Sequence, residues 1–103
     1  MNDPLWDVGD LCVEAKLDAA GEEALLAAYF GARGEPPTAA ERGRVVLYKA
    51  MCDLLWTLWG LVQHASGNPA EDFHAYALER LARCEALMAS DGFEAHVAAV
   101  REG

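Results

Sequence analysis

Trp56 and Trp59 are the residues of this sequence whose type and spacing best suit ligand binding. On a helix, two side chains three residues apart occupy neighbouring positions on one face. The faces of indole rings are electron-rich, so two adjacent rings can form two walls of a site for a cationic ligand. The same spacing also suits a pair of core residues, and periodicity alone favours the core for tryptophans on an apolar helix. Both interpretations stay open at this point.

The sequence contains no recognisable catalytic constellation. Gly31 and Gly34 lie at a predicted helix end close to two prolines, which is the wrong context for a phosphate-binding loop. No histidine is followed at the second position by aspartate, so the catalytic loop of kinase-like phosphotransferases is absent. Ser66 and Ser90 each fall at a helix end, where capping explains a serine better than nucleophilic catalysis does. We therefore predict no catalytic residue in this chain.

One possible metal motif is the Glu-x-x-His step formed by Glu71 and His74. Di-iron helical bundles use two such steps together with two further glutamates. This sequence has one step, so we predict no metal site. The simpler interpretation is an acidic first turn at the positive end of a helix dipole.

Composition and charge limit the classes of partner. The chain has 103 residues, of which 53% are hydrophobic, and its net charge is −9 with only eight lysines and arginines. A nucleic-acid partner is not expected, because binding a polyanion needs a basic surface. Residues 45–62 could suggest a membrane span, but Lys49 and Asp53 interrupt them, and a buried helix of a soluble protein fits better. We predict no membrane partner.

The cysteines indicate the redox compartment. They are odd in number, far apart and without zinc-ligand spacing, namely Cys12, Cys52 and Cys84. This pattern predicts reduced thiols in a cytoplasmic protein.

Capping signals divide the chain into about five helices and predict an all-α fold in one domain, residues 1–103. The N-terminal signatures are Asp3 with Pro4, Asp18, Thr38 with Glu41, Asn68 with Pro69 and Glu71, and Ser90 with Asp91. The third helix, roughly residues 39–65, is apolar all round after Leu54, which predicts a long central helix surrounded by protein. Gly60 costs that helix about 1 kcal/mol relative to alanine, so we expect another chain segment to approach its backbone closely.

The sequence resembles the C-terminal helical part of choline and ethanolamine kinases, which are related to aminoglycoside phosphotransferases. That family carries a Trp-x-x-Trp step followed by a glutamine, here Trp56, Trp59 and Gln63. It then has an aromatic residue, two residues, and a tyrosine before an Ala-x-x-Arg-like run, here residues 73–80. Residues 2–11, Asn-Asp-Pro-Leu-Trp-Asp-Val-Gly-Asp-Leu, are similar to the segment after the family's metal-binding aspartate.

The resemblance implies roles for individual residues. It places four aromatic side chains in the pocket for a cationic substrate such as choline or ethanolamine: Trp56, Trp59, Phe73 and Tyr76. Asp7 corresponds to a residue that braces the catalytic loop through hydrogen bonds to its backbone, and Glu14 falls where the family often has an acid. In the full-length family, the enzyme transfers the γ-phosphoryl group of ATP to an amino alcohol with Mg²⁺.

The resemblance also implies that the family's nucleotide lobe, catalytic loop and metal-binding aspartate lie before the first residue of this chain. For the chain alone we therefore expect weak binding of the amino alcohol, no ATP or metal cofactor, and no catalysis. A helical interaction module is the alternative function. Its apolar faces would drive self-association, and we expect a homo-oligomer. An aminoglycoside-type relative, in which the tryptophans are only core, remains a third interpretation.

Overall fold

The computed structural model describes residues 3–103. Met1 lies outside this range, and so does Asn2, the first residue of the N-terminal part of the resemblance. The described residues form five helices and no strand, which confirms the all-α prediction. The helices are α1 (Pro4–Glu14), α2 (Ala19–Gly31), α3 (Ala39–Ala65), α4 (Phe73–Met88) and α5 (Phe93–Glu102).

The first three helices begin at their predicted caps. The side chain of Asp3 accepts a hydrogen bond from the backbone amide two residues on, and that of Asp18 from the amide three residues on. Thr38 and Glu41 make both hydrogen bonds of the capping box at the start of α3. Each cap satisfies amide groups that would otherwise have no partner within the helix.

The predicted start of the fourth helix, at Asn68 and Pro69, is wrong. The Asn68 side chain accepts a hydrogen bond from the Ala70 amide at 3.0 Å, and this contact closes a turn instead of opening a helix. Asp72 is the actual cap, because its carboxylate accepts a hydrogen bond from the Ala75 amide at 3.0 Å. Two capping residues compete within five positions, and the second one begins α4.

The start of the last helix also differs from the prediction. The Ser90 hydroxyl donates a hydrogen bond to the Leu87 carbonyl, so this residue belongs to the end of α4. Gly92, with φ at 88°, occupies the position before α5. A left-handed backbone of this kind favours glycine, and the chain changes direction there.

Helix α3 is the central element of the fold, because α1, α4 and α5 all pack against it. Helix α2 joins α1 and the first half of α3 in a hydrophobic cluster that consists of Leu5, Val8, Leu26, Phe30 and Val45. Helix α4 runs antiparallel to α3, since Asp53 lies beside Arg80 while Gly60 lies beside Ala77. This pairing sets the second half of α3 against the first half of α4.

The expectation that the second half of α3 is surrounded by protein is wrong. Thr57 and Gly60 are buried against α4, but five large apolar side chains between positions 54 and 62 are 42–59% exposed, namely Leu54, Leu55, Leu58, Leu61 and Val62. By length and hydropathy α3 is also a candidate membrane span, with one third of its most apolar 18 residues buried. The core helix of a soluble protein can have the same length and hydropathy, but such a helix is mostly buried. The second half of α3 therefore presents an uncovered apolar face.

Candidate functional site

The four aromatic residues singled out by the resemblance lie together at the contact between α3 and α4. Trp59 is at the centre of the group. Its ring centroid is 5.7 Å from that of Trp56, 5.3 Å from that of Phe73 and 5.8 Å from that of Tyr76. We call these four residues the aromatic cluster. Each helix contributes two rings that are three residues apart in sequence, Trp56 and Trp59 from α3 and Phe73 and Tyr76 from α4.

The rings of the aromatic cluster meet at steep angles and differ in exposure. Trp59 makes interplanar angles of 80° with Trp56, 83° with Phe73 and 76° with Tyr76. These edge-to-face contacts are the favourable arrangement for aromatic pairs. Phe73 is buried and forms the floor of the cluster, Trp56 and Tyr76 are partly exposed, and Trp59 is 40% exposed. The cluster is thus a surface feature with a buried base.

Gly60 allows the two helices to approach closely enough for these ring contacts. A Cβ atom at this position would lie 2.8 Å from Cδ1 of Tyr76, 3.2 Å from Cβ of Ala77 and 3.3 Å from the Phe73 carbonyl oxygen. The first distance is shorter than van der Waals contact. The expectation of a close approach at Gly60 is confirmed, and the approaching group is the first half of α4.

Helix α1 places a carboxylate beside the cluster. The Trp56 indole Nε1 lies 3.5 Å from Oδ1 of Asp10, to which it donates a long hydrogen bond. An acidic group next to an electron-rich ring adds negative potential on the side where a cation would approach. The carboxylate also fixes the orientation of the Trp56 ring.

On its inner side the aromatic cluster adjoins a buried ionic network. The guanidinium of Arg80 lies 5.3 Å from the Tyr76 ring centroid. It donates hydrogen bonds to Asp53 at 3.0 Å and to Glu14 at 2.8 Å, so it links α4 to α3 and α1. Burial works against the charged form, but the bonds to Asp53 and Glu14 outweigh it and raise the pKa of Arg80 above its ordinary value. No local pattern in the sequence identifies this network.

Arg83 completes the network from the next turn of α4. Its Nε lies 3.8 Å from Oδ2 of Asp53, and its Nη2 donates a hydrogen bond to the Val13 carbonyl at 3.0 Å. Its Nη1 is buried without a hydrogen-bond partner among residues 3–103. Asp53 therefore lies between two guanidinium groups, and the charge that interrupts the apolar sequence of α3 is compensated by α4.

The three thiols are buried, and burial disfavours their thiolate form. All three cysteines are free and buried, as expected for reduced residues. Burial, followed by the charge and hydrogen bond of Asp10, raises the pKa of Cys52 to about 12. Burial also raises the pKa values of Cys12 and Cys84. Because the thiolate is the nucleophilic form, none of these residues is suited to covalent catalysis.

The remaining residues singled out from the sequence have separate locations. Asp7 is exposed on α1, away from the ionic network, and its role as a brace stays a prediction. Glu14, by contrast, holds Arg80. Glu71 precedes α4, so the supposed helical Glu-x-x-His step with His74 does not form. Among the described residues 3–103, no group of three or more metal-ligating side chains is present.

The chain is thus an all-helical unit with an aromatic cluster at its surface and the carboxylate of Asp10 beside that cluster. This arrangement makes the cluster a candidate ligand-binding site. No protein-family profile matches it, and no curated protein does. A solved structure does match, that of a choline/ethanolamine kinase family protein from Mesorhizobium loti. The identity is 62%, the TM-score is 0.93, and the match covers all of this chain and 34% of that protein.

This match confirms the resemblance drawn from the sequence. Over its whole length, the chain corresponds to a helical part of a choline/ethanolamine kinase family protein. It spans about a third of the length of that relative.

Proposed function

We propose that this chain is the substrate-binding helical part of a choline/ethanolamine kinase-like phosphotransferase. In this proposal the aromatic cluster binds the ammonium group of an amino alcohol. The complete enzyme would transfer the γ-phosphoryl group of ATP to the hydroxyl of that alcohol with Mg²⁺. The similarity to the Mesorhizobium loti protein supports the class of enzyme, and the aromatic cluster supports the class of substrate.

The observation that carries the proposal is the exposure of Trp59. Trp59 contacts three other rings and is still 40% exposed, so part of its ring surface is open to a ligand. Solvent-accessible ring surface beside Asp10 suits an organic cation, because both the rings and the carboxylate attract positive charge.

The affinity of the isolated chain should nevertheless be low. Arg80 already lies over the Tyr76 ring, so this ring is less available to a second cation. Each free ring face contributes about 0.5–2 kcal/mol of cation–π attraction. Phe73 is buried, so two free rings remain, and two such contacts correspond to a dissociation constant of about 1 mM or weaker.

A comparison of choline with its uncharged tert-butyl isostere, 3,3-dimethylbutan-1-ol, tests the proposal. We expect choline to change tryptophan fluorescence more strongly than the isostere, because only choline is attracted by the ring quadrupoles. Trp59→Leu should abolish the difference while it preserves helix content, since leucine keeps the apolar character and the helix propensity. Trp6→Leu is the matched control, because Trp6 pairs with Tyr48 outside the cluster and its loss should leave the difference intact.

Equal responses to choline and the isostere in the unmodified chain would contradict the proposal. The tryptophans would then be packing residues, as the aminoglycoside-type interpretation holds. An unchanged response in Trp59→Leu would also contradict it, because the signal would then come from another tryptophan.

A second candidate function is self-association without catalysis. The observation that favours it is the uncovered apolar face of α3, and on α4 the apolar side chain of Leu78 is also 51% exposed. Exposed apolar surfaces of this kind commonly mark protein interfaces. In the relative, which is about three times as long, other parts of the protein are available to cover the same face.

Light scattering tests this second candidate. We expect the chain to form a dimer or larger species, and Leu58→Glu to shift it towards monomer, because Leu58 is 54% exposed and a buried unpaired carboxylate would oppose assembly. Glu79→Leu is a control on the exposed side of α4 that should not produce monomer. A monomer at high concentration of the unmodified chain would exclude self-association.

For either candidate, we expect no phosphocholine from the chain with ATP, Mg²⁺ and choline.

A further inference from the structure

Two histidines meet where α3 ends and α4 begins. His64 lies in the last turn of α3 and His74 in the first turn of α4. Their ring centroids are 5.1 Å apart, the planes are tilted by 45°, and both side chains are exposed. The pair belongs to neither the aromatic cluster nor the ionic network.

The separation of the two rings matches that of two imidazoles on one metal ion. With Zn–N bonds of about 2.0–2.1 Å, the ion lies about 3.2 Å from the centre of each ligating ring. Two rings at a tetrahedral angle then have centres about 5 Å apart. The observed 5.1 Å is compatible with one shared ion once the exposed rings turn their nitrogen atoms towards it.

We infer that His64 and His74 form a two-histidine binding site for a borderline divalent transition-metal ion such as Zn²⁺. Neutral imidazole is a preferred ligand of such ions, and hard cations such as Mg²⁺ select oxygen ligands instead. The net charge of −9 favours the approach of any cation. The inference does not depend on the proposed function.

The surrounding structure determines how tightly the ion is held. No group of three or more ligating side chains lies within residues 3–103, so water completes the coordination and the ion exchanges readily. The connection between the two helices is ordered by side-chain bonds, since Asn68 Nδ2 donates to Oε1 of Gln63 at 2.9 Å and Oδ1 of Asn68 accepts from Ala70. This order lowers the entropy lost on chelation. We expect a dissociation constant on the order of 100 µM or below.

A bound ion would fasten the end of α3 to the start of α4. Phe73 directly precedes His74, and its ring contacts Trp59. The ion would therefore stabilise the helix contact that holds the aromatic cluster, without touching its rings. An ion that binds only the folded chain raises thermal stability by mass action.

Calorimetric titration of the untagged, reduced chain with ZnCl₂ tests the inference. We expect about one ion per chain. His64→Asn and His74→Asn should each weaken binding about tenfold or more, since even indirect partners of metal ligands contribute that much. His96→Asn is the matched control, because His96 lies on α5 and its loss should leave the affinity unchanged.

Thermal unfolding provides a second measurement that does not depend on the heat of binding. Zn²⁺ at saturating concentration should raise the midpoint of the unmodified chain and of His96→Asn by several degrees. It should raise the midpoints of the other two variants much less. Binding that is equal in His64→Asn, His74→Asn and the unmodified chain, or that is lost in His96→Asn, would overturn the site.

Discussion

Arg80→Met is expected to destabilise the fold by about 3–5 kcal/mol, because it leaves the carboxylate of Asp53 buried without its closest partner. The two side chains are 9% and 4% exposed, and their charged atoms are 3.0 Å apart. Arg83 is too far from Asp53, at 3.8 Å, to replace the lost hydrogen bond. The loss is a large fraction of the roughly 5–15 kcal/mol that stabilises an ordinary protein. Urea unfolding followed by helical circular dichroism measures it.

A double variant and a control distinguish two causes of the expected loss of stability, which are the unpaired buried charge of Asp53 and the loss of packing by the Arg80 side chain. Asp53→Leu combined with Arg80→Met should recover most of the stability, since an apolar pair can replace a buried ion pair at little cost. Arg42→Met removes a similar contact, 2.6 Å from Glu23, but in a solvent-exposed pair, so its loss should have little effect on stability. If Arg80→Met and Arg42→Met cost the same, the ionic network does not stabilise the fold as described.

This network shows where prediction from sequence ends. Asp53 is visible in the sequence as a charge in an apolar helix, but nothing local identifies its partner 27 residues away. The pairing depends on the antiparallel register of α3 and α4, which is fixed by packing along both helices. The sequence could predict two helices there and could not predict which side chains face each other.

Local signals account for the parts of the fold that were predicted well. Asp3, Asp18 and the Thr38–Glu41 capping box begin their helices as expected, because each motif satisfies backbone amides within four residues. The predicted start of α4 is wrong because Asn68 and Asp72 are both good capping residues, and local rules do not show which of them begins the helix. The predicted burial of the second half of α3 is wrong for a different reason. Burial depends on which other segments are present to cover a helix.

Only part of the candidate site could be predicted from the sequence. The spacing of Trp56 and Trp59 predicts their contact, and Gly60 predicts a close neighbour, but the resemblance was needed to add Phe73 and Tyr76. His64 was missed. A useful signal existed, because histidines at the facing ends of two consecutive helices with a short connection come close when the helices are antiparallel.

Gly60→Ala is expected to destabilise the fold by up to about 2 kcal/mol and to weaken the choline-specific fluorescence response. The new methyl group meets Cδ1 of Tyr76 at 2.8 Å, and overpacking of this kind costs about 1–3 kcal/mol. Alanine returns about 1 kcal/mol of helix propensity, which offsets only the lower end of that cost. Helix α4 must shift away from α3, and the contacts of Trp59 with Phe73 and Tyr76 lengthen with it.

Gly31→Ala provides the matched control for this prediction. Gly31 is also helical, but a Cβ atom there has nothing within 4 Å, so the substitution should be neutral or stabilising by up to about 1 kcal/mol. It should also leave the response to choline unchanged, because α2 does not contribute to the aromatic cluster. Urea unfolding and the choline titration are measured on both variants. If Gly60→Ala gains stability like Gly31→Ala, the helices can separate without cost, and Gly60 does not determine the geometry of the cluster.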